Sequence, residues 1–181
     1  MNIKEKMQRR LKLNRPSLRA RARPPKQRTP LGQQFTAANL PSALSMQTCS
    51  DCGHVQYPPT ELCGACLADG LIFNDTPVDG LLLQRTDLHH SLWEFFKRHL
   101  RRASWPIASV KLDAGPTVFC HLGDRRLTTG NRVQVFSHTD ASQSMVLIAV
   151  GAEHDVGARE VRRQLTEQLG LTQPALRQGG I

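Results

Sequence analysis

Four of the five cysteines in this chain stand in two Cys-x-x-Cys pairs, Cys49-Ser-Asp-Cys52 and Cys63-Gly64-Ala-Cys66, with ten residues between them. Each pair can fold into a tight knuckle that offers two sulfurs to a common point, so together they supply the four thiolates of a tetrahedral zinc site. Gly53 follows the first pair and Gly64 lies inside the second, where a knuckle asks for a left-handed backbone or a close approach that a Cβ would hinder. Two disulfides and a redox dithiol are the competing readings. Both fit poorly, because no secretory signal precedes the cysteines and a redox Cys-x-x-Cys would stand alone beside a βαβ pattern. With four protein ligands the ion would be coordinatively closed, a staple for the fold and not a catalyst.

Little else in the chain has the makings of chemistry. The fifth cysteine, Cys120, alternates with Val118 and Leu122 on one face of a short β-like run, while Thr117, Phe119 and His121 take the other face. Cys120 therefore reads as a small buried hydrophobe, and its sequence neighbour His121 points away from it. Asp113 lies in a turn, where its side chain is expected to bond the backbone. Paired carboxylates are lacking, His54, His89 and His90 are not needed as ligands, and no set of nucleophile, base and orienting group stands out.

The elements that must position the cysteines follow from periodicity and turn residues. Phe35 to Met46 is weakly amphipathic and holds at most a short helix, limited by Pro41, ahead of a ribbon over about residues 47–74. Five short strands are expected beyond it: Val78–Thr86 with Gly80 as a bulge or bend, Ile107–Leu112, Thr117–Leu122, Arg132–Ser137 and Met145–Val150. The turn Asp113-Ala-Gly115-Pro116 makes a hairpin of the second and third, and Asp140-Ala-Ser142 lies between the fourth and fifth. Between the first two strands, Leu88, Leu92, Phe95, Phe96, His99 and Leu100 form one stripe of a helical period. A last helix is expected over Gly157–Leu169, capped by Asp155, with Val161, Leu165 and Leu169 inward and Gly170 at its end; residues after Pro174 should fray. The strand pattern suits an antiparallel meander closed, or nearly closed, into a small barrel.

The 181 residues give room for one ordinary domain with an appendage, in four stretches: a disordered basic arm over 1–34, helix and ribbon over 35–74, barrel over 75–150, and a helix with a frayed end over 151–181. Net charge of +9 suggests nucleic acid until it is divided along the chain. Residues 1–31 hold 11 Lys/Arg and one acid, Glu5, whereas the remaining 150 residues carry a net −1. That basic stretch, with Pro16, Pro24, Pro25 and Pro30, has too little apolar surface to offset chain entropy, and a short helix over Met1–Leu13 is the most it offers. A phosphate or RNA contact, a docking arm for an acidic partner, an organelle transit peptide and a solvated extension all fit it. No apolar run approaches the roughly 20 residues of a membrane helix, so a soluble, cytoplasmic protein is expected.

The quoted residues, read together, resemble a family of zinc-ribbon plus OB-fold proteins grouped as a domain of unknown function and associated with thiolase-like acyl-CoA enzymes. The resemblance is carried by Cys49-x-x-Cys52-Gly53, Tyr57-Pro58-Pro59, Cys63-x-x-Cys66 and Asp79-Gly80-Leu-Leu-Leu-Gln-Arg-Thr86. It continues through Trp105-Pro106-Ile-Ala-Ser-Val-Lys-Leu112-Asp113-x-Gly115 and Gly130-Asn-Arg-Val-Gln-Val135, over about residues 40–150. Departures are Gly64 where members often have Pro, Thr60 in place of an Arg after the Pro-Pro, and an altered end to the last strand. The implied fold is mainly β with flanking helices: a rubredoxin-like zinc ribbon followed by a five-stranded OB-fold-like barrel.

What the resemblance implies about function is a non-catalytic accessory subunit that docks on a thiolase-like or other acyl-CoA-processing enzyme and guides the acyl-pantetheine arm. Lys97, Arg98, Arg101 and Arg102 crowd one turn and a half of the amphipathic helix. They could contact the 3′-phosphate and pyrophosphate of a coenzyme A thioester, or a nucleic-acid backbone, or simply form a solvated face near a helix C-terminus. Trp93 and Trp105 are expected to cover the barrel. The rival function is a nucleic-acid-binding zinc-ribbon/OB-fold protein using the basic arm, against which stand 5% aromatic residues and the near-neutral ordered part.

Overall fold

A computed structural model of the chain describes residues 29–90, 100, 103–139 and 145–171. Helix α1, Pro30–Asn39, starts inside the stretch assigned to the basic arm. Thr29 caps it, its hydroxyl accepting from the Gly32 N–H at 3.1 Å, and Pro30 fills the first helical position, where a missing N–H costs nothing. The helix buries Phe35 and Asn39. Asn39 then grips the entrance to the ribbon: its amide donates to the Ser45 carbonyl at 2.9 Å and accepts from the Ser45 N–H at 2.7 Å.

The ribbon is a three-stranded antiparallel sheet with β1, Ser45–Cys49, between β2, Val55–Gln56, and β3, Leu71–Asp75. Five further strands form a closed barrel in the order β4-β5-β6-β8-β7. They are β4, Asp79–Leu88; β5, Trp105–Leu112; β6, Thr117–Leu122; β7, Arg132–Thr139; and β8, Met145–Gly151. This corrects the expected meander. β7 and β8 form a hairpin, but β7 lies against β4, so β8 fills the remaining gap and runs parallel to β6 through His121↔Ile148 and Leu122↔Ala149. The connection over 123–131 carries the chain away from β6 and makes that order reachable. Gly80 is no bulge: the ladder irregularity lies between Leu82 and Gln84. Gly80 pairs with both Leu112 and Val133, and a Cβ there would meet the Lys111 carbonyl and Val110 Cγ1 at 2.7 Å.

Val118, Cys120 and Leu122 point inward on β6 as their alternation requires. The main core joins Phe35, Leu44 and Met46 to Leu82, Val110 and Val135, so α1, ribbon and barrel share one apolar interior. A second cluster seats helix α2, Arg159–Gln168, through Leu165 against Phe136, Ile148 and Val150, with Val161 and Leu169 packed alongside. α2 is shorter than expected at both ends, and its N-cap is Ala158, not Asp155, whose carboxylate accepts from the Gly157 N–H at 3.1 Å. Gly170, at φ 65°, follows its end. Leu88, expected to begin the amphipathic helix, is the last residue of β4. The rest of that stripe except Leu100, together with Trp93, Lys97, Arg98, Arg101, Arg102, the Asp140–Ser142 turn and the chain's two ends, lies outside the described residues.

Candidate metal centre

The ribbon brings Cys49, Cys52, Cys63 and Cys66 together with all four sulfurs within 4.8 Å of one another. Contacts of 3.6 Å cross between the knuckles, Cys49 Sγ to Cys66 Sγ and Cys52 Sγ to Cys63 Sγ. Four sulfurs about 2.3 Å from one zinc ion lie about 3.8 Å apart, so the spacing fits a tetrahedral thiolate site. It is far beyond a disulfide bond of about 2.05 Å, and all four are free thiols. Cys49 and Cys63 are buried and Cys52 and Cys66 exposed, which sets the centre at the surface of the ribbon.

Each knuckle is closed by the same pair of backbone hydrogen bonds. In the first, Cys49 N–H donates to the His54 carbonyl at 3.0 Å and Gly53 N–H to the Cys49 carbonyl at 2.9 Å. In the second, Cys63 N–H donates to the Ala68 carbonyl at 2.8 Å and Leu67 N–H to the Cys63 carbonyl at 3.0 Å. The residue after the second cysteine must turn left-handed in both cases: Gly53 at φ 71° and Leu67 at φ 63°. The role expected for Gly64 is therefore corrected. Gly64 has no positive φ, and a Cβ on it would only touch Gln56 Oε1 at 3.8 Å.

Three polar residues hold the second knuckle, two of which, Gln47 and Gln56, the sequence did not mark. Gln56 accepts from the Gly64 N–H at 2.9 Å, and its amide donates to Gln47 Oε1 at 3.0 Å and Thr60 Oγ1 at 2.7 Å. Gln47 in turn accepts from the Thr60 N–H at 2.8 Å and donates to the Thr60 carbonyl at 3.0 Å. Gln47 and Gln56 are both buried, so each unmade bond would leave a desolvated polar group. The only advance signal was Thr60 itself, noted as a departure from the family.

Without metal, four thiols this close cannot all ionise. Backbone N–H groups of Cys66 and Ala65 lower Cys63 to about 6. At Cys66 the Ala68 N–H also favours the thiolate, but the neighbouring Cys52 thiol, desolvation and the other two cysteines outweigh it and push the group up to about 12. A dication resolves that conflict by displacing the protons, which is how zinc binding becomes folding energy. Cysteine sulfur, tetrahedral spacing and a closed ligand set together fit zinc.

The other singled-out residues fall elsewhere. Cys120 is buried in the barrel core, where desolvation raises its thiol far above the ordinary range. Among the described residues the Asp113 side chain does not bond the backbone; its carboxylate accepts from both terminal nitrogens of Arg132, one at 2.9 Å, and this pairing holds it below the usual carboxylate value. His54 contributes its carbonyl to the first knuckle. No helix among the described residues is long and apolar enough to cross a membrane.

Residues 42–71 match the family described as ChsH2, rubredoxin-like zinc ribbon domain. In three dimensions the chain is similar to the Ltp2-ChsH2(DUF35) aldolase, with 19% identity and a TM-score of 0.52, over 66% of this chain and 92% of that one. A protein of unknown function from the DUF35 family of Sulfolobus solfataricus aligns over 67% of this chain and 85% of its own, with 14% identity and a TM-score of 0.45. No curated protein matches the chain in sequence. The sequence match and the geometry agree: the chain carries a ChsH2-type rubredoxin-like zinc ribbon set in front of a closed five-stranded barrel, the zinc-ribbon plus OB-like architecture of the DUF35 proteins.

Proposed function

We propose that this chain is a non-catalytic accessory subunit of a larger enzyme, docking on an acyl-CoA-processing partner of thiolase-like or related kind and helping to guide the acyl-CoA arm. The observation that carries the reading is the ChsH2 ribbon match at residues 42–71, since ChsH2 is named with a second protein, Ltp2, in an aldolase. The metal centre supports it, because four sulfurs leave a zinc ion no position for substrate. So does Cys120, a thiol sealed in the core and held protonated by burial.

The surface supports docking as well. Leu62, Leu67 and Ile72 are exposed on the ribbon, and Phe119, Leu81 and Leu83 on the barrel. Leu67 combines a left-handed backbone with 73% exposure, and Phe119 on β6 is 72% exposed. Large apolar side chains displayed this way on both modules suit burial against another polypeptide. Lys97, Arg98, Arg101 and Arg102 are the proposed contact for the phosphates of a coenzyme A thioester, and charge reversal at Arg98 and Arg102 should weaken coenzyme A binding.

The test is affinity capture of the tagged full chain from its native host, followed by mass spectrometry. An acyl-CoA enzyme should be retained by the unaltered chain and lost with Leu67→Asp or Phe119→Asp. Capture of no such enzyme, or turnover of a thioester by the isolated chain, would overturn the reading.

A further inference from the structure

A cleft of about 550 Å³ opens between the end of α1, the far end of β7 and the exposed side of α2, sharing no residue with the metal centre. Its α2 wall carries Arg159, Glu160, Arg162 and Arg163, and Leu40 stands at the opposite wall, 66% exposed. The charges there do not balance. Arg163 is matched by Glu160 at 2.6 Å and Glu167 at 3.0 Å. Arg162 is fixed in place by donating to the Val156 carbonyl at 2.6 Å and the Gly157 carbonyl at 2.9 Å, and it meets no carboxylate among the described residues. The Arg159 side chain makes no hydrogen bond or ion pair among the described residues. Burial, and then the charge of Arg159, make Arg162 a weaker base than usual, as expected for two neighbouring cations without an acid between them.

We propose that this cleft binds a small phosphorylated organic molecule, with the phosphate held by Arg159 and Arg162 and the apolar remainder lying against Leu40. Arg159 and Arg162 offer two guanidinium groups with no carboxylate of their own among the described residues, one for each charge of a phosphate monoester of about −2, and they leave this face of α2 net positive even though Glu160 and Glu167 share the one cation of Arg163. The planar fork of arginine fits phosphate oxygens in pairs, and Arg162 is already immobilised by its two carbonyl partners. The volume lies within the range of about 300–1,000 Å³ found for small-molecule sites and far exceeds a bare anion. Behind the cleft the floor is stiff, since the Ser137 hydroxyl donates to the Asn39 and Ala43 carbonyls and ties β7 to the end of α1. The inference stands apart from the accessory-subunit reading.

Phenyl phosphate is the probe, titrated into the isotope-labelled full chain and followed by amide NMR shifts. A residue-specific readout is needed because the basic stretch in residues 1–31 attracts anions too. Saturable shifts at Asn39, Ser137 and Val161 are expected, with inorganic phosphate binding several-fold more weakly for want of the apolar contact. Arg159→Gln removes no bond seen here and should keep the fold while weakening the site tenfold or more. Lys111→Gln, on β5 away from the cleft, should leave the affinity unchanged. The proposal is overturned if the cleft amides do not shift, if Arg159→Gln binds as tightly as the unaltered chain, if Lys111→Gln weakens binding equally, or if inorganic phosphate binds as well as phenyl phosphate.

Discussion

The two zinc knuckles have one backbone and two different sequences. Both are closed by the same two hydrogen bonds and both need a left-handed residue after the second cysteine, yet the first places Gly53 there and the second Leu67. They also lean on different supports. Ser50 N–H donates to the Gly70 carbonyl at 2.8 Å beside the first, whereas a buried amide network from Gln47 and Gln56 holds the second. The shared geometry belongs to the metal, and the differences show what each knuckle does besides binding it. A glycine at the left-handed position is conformationally economical; a leucine there, exposed to solvent, spends backbone strain to display an apolar side chain.

That comparison can be broken at several levels. The largest effect should follow loss of the ion, by chelation or Cys63→Ser, because structural zinc contributes on the order of 10–16 kcal/mol of apparent binding energy in small zinc domains. Amide signals of residues 45–75 should collapse in both knuckles, while those of β7 and β8 keep their dispersion, since Phe136, Ile148 and Val150 pack with α2 in a second cluster that contains no ribbon residue. Next comes Gln56→Ala, which strips the Gly64 N–H and the side-chain oxygen of Gln47 of a partner and should cost about 1–3 kcal/mol in denaturant unfolding. Hydrogen exchange should rise first at Gly64 and Leu67, leaving Gly53 protected.

Exchanging the left-handed residues gives smaller effects of opposite sign. Gly53→Leu should destabilise by about 1–2 kcal/mol through backbone strain alone, because nothing lies within 4 Å of a Cβ at that position. Leu67→Gly should stabilise the isolated chain by up to about 1 kcal/mol, relief of strain being partly offset by the entropy of glycine. Equal responses at the two sites would dissolve the distinction drawn between them. The smallest effect belongs to the barrel: Arg132 holds the Asp113 carboxyl below its ordinary 3.8 in the folded chain. Its contribution is therefore present above the unfolded value and lost as pH falls through the lower folded one. Asp113→Asn should lower the thermal midpoint slightly above about pH 4, as loss of an exposed pair does, and the difference from the unaltered chain should fade as pH falls below that value.

The metal ligands were legible in the sequence because a knuckle is local: two residues between cysteines dictate where both sulfurs point. β6 was legible for the same reason, with Pro116 before it, Gly123 after it and strict alternation between. What the sequence hid was long-range. The parallel pairing of β6 with β8 depends on β7 choosing β4 as its neighbour, a choice made across the barrel and not written in either strand. Gln47 and Gln56 carried no signal in the sequence, since their burial exists only once the second knuckle folds over them. Gly64 misled for a subtler reason: a glycine marks conformational freedom without saying which neighbour uses it, and here the strained position fell to Leu67. The start of α1 was signalled by Thr29-Pro30, a cap followed by a first-turn proline, hidden within a stretch whose charge dominated its reading.

Native mass spectrometry of the tagged chain purified from its own host tests the central claim most directly, because it weighs metal and partner in one measurement. The account predicts one zinc ion per copy of this chain, carried in an assembly with a second polypeptide that processes acyl-CoA. A metal-free chain flying alone would contradict it.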